Sequence, residues 1–304
     1  MIIGIDQGYG AIKTTNFIMT TGITEYEKEP YTTKNVIKFD GKYYVCGSGR
    51  QSLVRDKTQD DSYYILTLAA IAKEMKHRNV GNKANVVLAV GLPLTSYGRD
   101  KDKFIKYLKR HVMQPIKFEF EQETFRVFID DIIVYPQGCL AVNNRNSELI
   151  AQPSVIICDF GSWTVDIFRM DKGRPVSDTC RSLEMGIIRM MDIILEEVRS
   201  NTGLSLTSAQ IERVMKNMPC ILDGKAKAIV EKQGKIYIDK LLRSLMESGF
   251  DVTAIPTVFL GGGAALVEKN VDSNVYAQME FIKDIKANAI AFEAVAKLMI
   301  GDKM

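Results

Sequence analysis

Residues Ile2–Thr15 read IIGIDQGYGAIKTT, and this stretch decides the fold. An apolar run of the kind that forms a buried strand stops at Asp6. A turn holding Gly8 and Gly10 follows, then Lys13 and two threonines. The same grammar returns half a chain later in Ser154–Phe168, SVIICDFGSWTVDIF: apolar strand, Asp159, one residue, Gly161, small polar residues, and a second strand. Two strand-Asp-x-Gly turns at this separation imply a duplicated domain whose halves face each other across a cleft. A third piece, Val258–Leu266 (VFLGGGAAL), runs a strand into Gly261, Gly262 and Gly263 and then into a helix.

The chemistry of these turns suits a polyphosphate. Glycine lets backbone N–H groups approach phosphate oxygens and cradle them as an anion nest. Two carboxylates brought near phosphates repel them unless a cation intervenes, and Mg²⁺, held by carboxylates and waters, is the natural one. Lys13 adds a point positive charge. Each turn alone is a common structural device; their order and spacing carry the signal. No GxxxxGK[ST] occurs, and Gly8–Gly10 lacks the third glycine and helix of a dinucleotide fingerprint.

Composition narrows the class. The chain has 304 residues, a length prior for about two domains, with 46% hydrophobic and 25% charged residues, ordinary for a protein with a real core. A net charge of +3 is too mild to argue for nucleic acid, and five scattered cysteines with no CxxC point to a reducing cytoplasm. Asp6 interrupts any signal-peptide pattern, and no apolar run reaches the length of a membrane span, so no membrane partner is expected.

Along the chain, Ile2–Asp6 is expected as a strand with Lys13–Thr20 returning beside it. Val36–Phe39 and Tyr43–Cys46 flank Asp40-Gly41 as a hairpin. Tyr64, Ile65, Leu68, Ala72 and Met75 recur at helical spacing over 61–76. Thr124–Ile129 and Ile132–Tyr135 read as separate strands, and 137–143 as a short helix. The polar run NNRNSELIAQ (143–152) marks a domain boundary. Gly173-Arg174 offers a hairpin turn. Ile187, Met190, Met191, Ile194, Leu195 and Val198 form the apolar stripe of a helix over 184–199. Helices follow over 208–216, 225–248 and 287–299. The basic run KDKFIKYLKRH (101–111) is first a solvated face.

This order resembles the actin/sugar-kinase/heat-shock ATPase superfamily. Asp6–Lys13 is similar to its first phosphate loop and DFGSWTVD (159–166) to its second. VYPQGCLAV (134–142) is similar to a connecting segment, LGGGAAL (260–266) to the adenosine loop, and AIAFEAVAKLM (289–299) to the closing helix. DGKYYVCGSGR (40–50), VVLAVGLPLTSYG (86–98) and EMGIIRMMDII (184–194) resemble segments of the ParM/StbA-type bacterial actins of plasmid segregation. Trp163 departs from the small residues usual in the second loop.

The resemblance implies an α/β fold of two actin-like (ribonuclease H-like) domains around a central nucleotide cleft. Domain I is 1–150, completed by the C-terminal helix 287–304; domain II is 151–286. It implies ATP or GTP with Mg²⁺, Asp6 and Asp159 holding the metal through waters, and Gly8, Tyr9, Gly10, Gly161, Ser162 and Trp163 at the phosphates. Lys13 would stabilise the leaving phosphoryl group, Gly261–Gly263 would face the nucleoside, and Gln137, just past a strand end, would orient the attacking water, as in GTPases. It further implies a cytoplasmic ATPase that polymerises with copies of itself and reaches plasmid DNA through a DNA-binding adaptor, without direct nucleic-acid contact. A small-molecule kinase of the same superfamily is the alternative.

Overall fold

The computed structural model describes residues 1–49, 56–111, 114–143, 147–272 and 278–301. Arg50, at the end of the 40–50 segment, and residues 144–146 of the polar run lie outside them, as do the last three residues of the expected closing segment 287–304. The chain divides into two compact units: Met1–Ala141 with Lys286–Met304, and Val142–Ile285. The first crossing falls at 141/142, just ahead of the polar run.

In the first unit, β1 (Ile2–Gln7) is buried on both faces from Ile3 onward, which is why its sequence is a continuous apolar run and not an alternation. It pairs antiparallel with β2 (Ala11–Thr14), and β2 pairs antiparallel with β3 (Ile18–Thr20). A single return strand over Lys13–Thr20 was expected; two strands form instead. The cause is Glu74, whose buried carboxylate accepts from Thr14 Oγ1 (2.5 Å), Asn16 N (3.2 Å) and Asn16 Nδ2 (2.8 Å) and bends the chain between β2 and β3. Then come β4 (Ile23–Tyr26), the hairpin β5 (Val36–Phe39) and β6 (Lys42–Cys46), and helix α1 (Ser62–His77), which carries Glu74. Asp40 and Gly41 turn that hairpin with φ of 47° and 78°, as the Asp-Gly pair predicts.

The unit continues with β7 (Lys83–Leu92), α2 (Tyr97–Leu108), β8 (Ile116–Phe120), β9 (Glu123–Pro136) and the start of α3 (Cys139–Asn143), within which the chain passes to the second unit, and it ends with α9 (Ala287–Gly301). The two strands expected over Thr124–Tyr135 are one. The register between β7 and β9 shifts where Val86 faces Ile129 and Val87 faces Asp131. Asp130 is the extra residue of a bulge, and Asn85 Nδ2 donates to it at 3.0 Å. The sheet order is β3-β2-β1-β7-β9-β8-β5-β6-β4. Helix α9 joins the unit because its backbone lies on β1: a Cβ at Gly4 would sit 2.1 Å from Ala289 O.

The second unit contains α4 (Ser147–Ile150), β10 (Val155–Phe160), β11 (Val165–Asp171), β12 (Arg174–Leu183), α5 (Ile187–Thr202), α6 (Ser208–Met215), α7 (Gly224–Glu247), β13 (Thr257–Leu260), α8 (Ala264–Asn270) and β14 (Met279–Phe281). The β11–β12 turn is Lys172-Gly173, one residue earlier than expected, with φ of 48° and 75°. Met190, Met191, Ile194 and Val198 of α5 pack with Ile211 and Val214 of α6 and Ile238, Leu241 and Leu242 of α7. Thr207 and Gln210 form a capping box before α6.

The duplication is visible in the strand directions. The second sheet is β12-β11-β10-β13-β14, with the first two pairings antiparallel and the last two parallel. In the first sheet, β3-β2-β1-β7-β9 has the same order of directions. The two strand-Asp-x-Gly turns occupy equivalent places, at the end of the central strand of each.

Candidate functional site

In the first unit, the hairpin register sets Asp6 directly opposite Lys13. Opposed residues in an antiparallel pair hold their side chains on the same face, so the two charges meet. Lys13 Nζ donates to Asp6 Oδ2 at 3.0 Å, with the Asp6 side chain 3% exposed. Gln137 lies just beyond the end of β9, its N–H bonded to Leu92 O at 2.9 Å. Its Nε2 donates to Asp6 Oδ1 at 2.7 Å. Thus three of the residues singled out in the sequence, Asp6, Lys13 and Gln137, form one constellation.

Gly8, Tyr9 and Gly10 make the turn between them. Thr21 secures it, its Oγ1 donating to Tyr9 O at 2.6 Å and its N–H to Gly10 O at 3.3 Å. A Cβ at Gly8 would lie 2.9 Å from Ala11 O and 3.3 Å from Lys13 Nζ, so a side chain there would crowd the ammonium. Sequence reasoning missed Lys57. This buried lysine donates to Gln7 O at 2.5 Å and lies 4.9 Å from the centre of the Tyr9 ring. It fixes the start of the turn. Its surroundings, DKTQDDS, read as a polar loop and give no signal of burial.

The second turn is built differently. Asp159 of β10 stands opposite Asp166 of β11, carboxylate to carboxylate, where the first hairpin sets carboxylate to ammonium. Thr164 Oγ1 donates to Asp166 Oδ2 at 3.3 Å. The turn is tethered through its carbonyls. Gly161 O accepts from Ile187 N (3.1 Å), Ser162 O from Ile188 N (2.9 Å), and Trp163 O from Gly186 N (2.9 Å). The start of α5 therefore holds three consecutive carbonyls of this loop, while the N–H groups of Ser162 and Trp163 join no backbone hydrogen bond of the turn among the described residues. Trp163 Nε1 is buried and has no partner among the described residues.

The glycine run follows β13. Gly261 has φ +84°, and a Cβ there would meet Asp159 Oδ1 at 2.5 Å. The glycine thus presses its backbone against the carboxylate of the second turn. Gly263 N donates to Phe160 O at 3.0 Å and caps α8, with Gly262 between. Gly261→Ala is expected to lower stability by at least about 2 kcal/mol, from the left-handed backbone and the displaced Asp159. Urea unfolding followed by circular dichroism checks it; an unchanged midpoint contradicts this packing.

The basic run of α2 and the residues after it is engaged locally. Lys103 pairs with Asp56 at 2.5 Å, Arg110 with Asp61 at 2.5 Å, and Lys109 with Asp131 at 3.8 Å, while Lys101 lies over the Tyr97 ring. The Lys103 ammonium and Thr58 hold the Asp56 carboxyl down at about 2. Among the described residues, no three His, Cys, Asp or Glu side chains gather as metal ligands, and no helix is long and apolar enough to cross a membrane. A metal here would take most of its shell from water and phosphate. Within the first unit the donor set fits that role: a lysine beside a glycine turn and a buried carboxylate suits a magnesium polyphosphate.

Comparison with known proteins bears on both units. A family model for the N-terminal domain of actin like proteins matches residues 4–139, and one for the C-terminal domain of the archaeal actin homologue MreB-like family matches residues 157–273. No curated protein sequence matches the chain. Among solved structures, a 15-stranded ParM filament from Clostridium botulinum aligns with a TM-score of 0.72 at 20% identity, covering 98% of this chain and 99% of that one. Bacillus thuringiensis ParM with ATP aligns at 0.70 and 15%, covering 98% of each chain. The archaeal actin homolog Ta0583 in complex with ADP aligns at 0.73 and 18%, covering 98% and 99%. The fold is therefore actin-like along nearly its whole length. With an actin-type family model on each of its two duplicated halves, the chain belongs to the actin-like superfamily.

Proposed function

We propose that this protein is a nucleotide-dependent, filament-forming ATPase, using ATP or GTP with Mg²⁺, that segregates plasmid DNA in the cytoplasm through a DNA-binding adaptor. The observation that carries the reading is the Asp6–Lys13–Gln137 constellation at the first glycine turn. The similarity to a ParM filament and to ParM with ATP supports it.

Asp6 and Asp159 would hold waters of the magnesium. Gly8, Tyr9, Gly10, Gly161, Ser162 and Trp163 would line the phosphates, and Gly261–Gly263 the nucleoside. Lys13 carries three N–H donors, so its bond to Asp6 is compatible with donation to a phosphate oxygen. Gln137 gives its amide N–H to Asp6, and its Oε1 is the acceptor suited to hold the attacking water. An amide is too weak a base to deprotonate that water, so the role is orientation. Copies joined head to tail by a contact that does not close would extend into a filament. Greater affinity of the polymer for the triphosphate state would drive growth, and hydrolysis would release it.

Light scattering and sedimentation with Mg-ATP, Mg-GTP and a non-hydrolysable analogue, with phosphate release in parallel, test the proposal. Polymer is expected with triphosphate and analogue, and disassembly only where phosphate is released. A monomer that phosphorylates an added metabolite would establish the kinase reading instead.

A further inference from the structure

The Trp163 indole is the unexplained group of the second turn. It is the only tryptophan in the chain, and its Nε1 is buried without a hydrogen-bond partner among the described residues. A buried donor left unmade destabilises the state that contains it, and such groups are rare in native proteins. The backbone around it is fixed, because the carbonyls of Gly161, Ser162 and Trp163 all accept from the start of α5. A response at this position therefore falls on the side chain and its two torsions. Indole is a donor only, so its partner must be an acceptor. The ligand class proposed above for this turn is rich in anionic acceptor oxygens, and a donor bond to an anionic oxygen is stronger than one between neutral groups.

We propose that Trp163 is a nucleotide-sensing residue: its indole turns when a nucleoside di- or triphosphate binds and donates Nε1–H to a phosphate oxygen. This rests on reading Gly161–Thr164 as a phosphate loop. The orphaned donor raises the free energy of the empty state, and the bond made on binding removes that penalty. Binding is thereby coupled to the rotamer of one ring.

A single tryptophan gives a single indole cross-peak in a ¹H–¹⁵N spectrum and the sole indole emission. Titration of the full chain with Mg-ADP is expected to move that cross-peak downfield and to change the emission. Trp163→Phe keeps a ring and loses the donor; it should bind Mg-ADP about tenfold more weakly while melting, without nucleotide, no lower than the parent. Mg-ADP that binds the parent but leaves its indole signals unmoved overturns the proposal alone, and needs no variant to fold. A parent that binds no nucleotide overturns the phosphate-loop reading together with it.

Discussion

Asp6→Ala is expected to slow triphosphate hydrolysis by about two to three orders of magnitude, the scale of removing one preorganised polar group from a reacting centre. The geometry says why one carboxylate matters so much. Asp6 is the shared acceptor for Lys13 Nζ at 3.0 Å and Gln137 Nε2 at 2.7 Å. Its removal frees both the proposed phosphate cation and the proposed water-orienting amide from their common anchor. Asp6→Asn should do nearly as badly. Lys13 can only donate and takes the carboxamide oxygen, so the NH₂ faces the Gln137 amide, which must either meet a second donor or turn its Oε1 away from the water it is proposed to hold. Folding should survive, because the Lys13 side chain is 17% exposed and its ammonium can reach water. Phosphate release at saturating Mg-ATP, beside circular dichroism of each variant, measures the effect. Rates within a few fold of the parent would remove Asp6 from the mechanism.

The parts of this site legible in the sequence were those set by local chemistry. The hairpin from Asp6 to Lys13 follows from a strand, a glycine turn and a second strand, and the facing pair follows from register. The repetition around Asp159 predicted a duplicated sheet, and the matching strand directions are its physical form. Asp40-Gly41 and the α5 stripe were equally local; within the stripe, Ile188 is buried and Ile187 only partly so.

What was not legible depends on contacts between distant residues. Gln137 could be placed after a strand end, but its bond to Asp6 requires β9 to lie two strands from β1, with β7 between. Lys57 is read as solvated by any local rule. The bend between β2 and β3 is dictated by Glu74, on a helix nearly sixty residues away. Strands as short as β3 and β4 carry too few residues for a period to show. The glycines of the third turn were read as room for a nucleotide, whereas the constraint the structure shows at Gly261 is the Asp159 carboxylate against its backbone, a contact between residues about a hundred positions apart that no local pattern announces.

The largest stability effect is expected at Arg78, just past the end of α1. Its guanidinium joins two buried carboxylates, Nε to Glu74 at 2.7 Å and Nη2 to Glu293 at 2.8 Å, and Nη1 donates to Ile2 O at 2.8 Å. Glu293 also accepts from Gly4 N, Thr15 Oγ1 and Lys297. One arginine thus ties α1, β1 and α9 together. Arg78→Met should destabilise the protein by about 3–5 kcal/mol, because it takes the guanidinium from two carboxylates with side-chain exposures of 0% and 4%, leaving Glu293 to the Lys297 ammonium and its neutral donors. The same network predicts a pH dependence. Burial alone would raise the Glu293 carboxyl, but hydrogen bonds from Arg78, Lys297 and the Gly4 N–H outweigh it and bring the group from 4.5 down to about 2. A depressed acid contributes stability above its unfolded value and loses it as pH falls through the folded one. Stability should therefore hold above about pH 4.5 and drop by roughly 2–3 kcal/mol towards pH 2 on account of this residue. Urea midpoints across that range measure the slope. Glu293→Gln, nearly the same shape without the charge, should flatten this contribution even if Arg78→Met does not fold. An unaltered slope in Glu293→Gln would mean that the C-terminal helix is held to β1 by its apolar face alone, through Phe292 and Ala296, and that the buried charges are incidental to closing the unit.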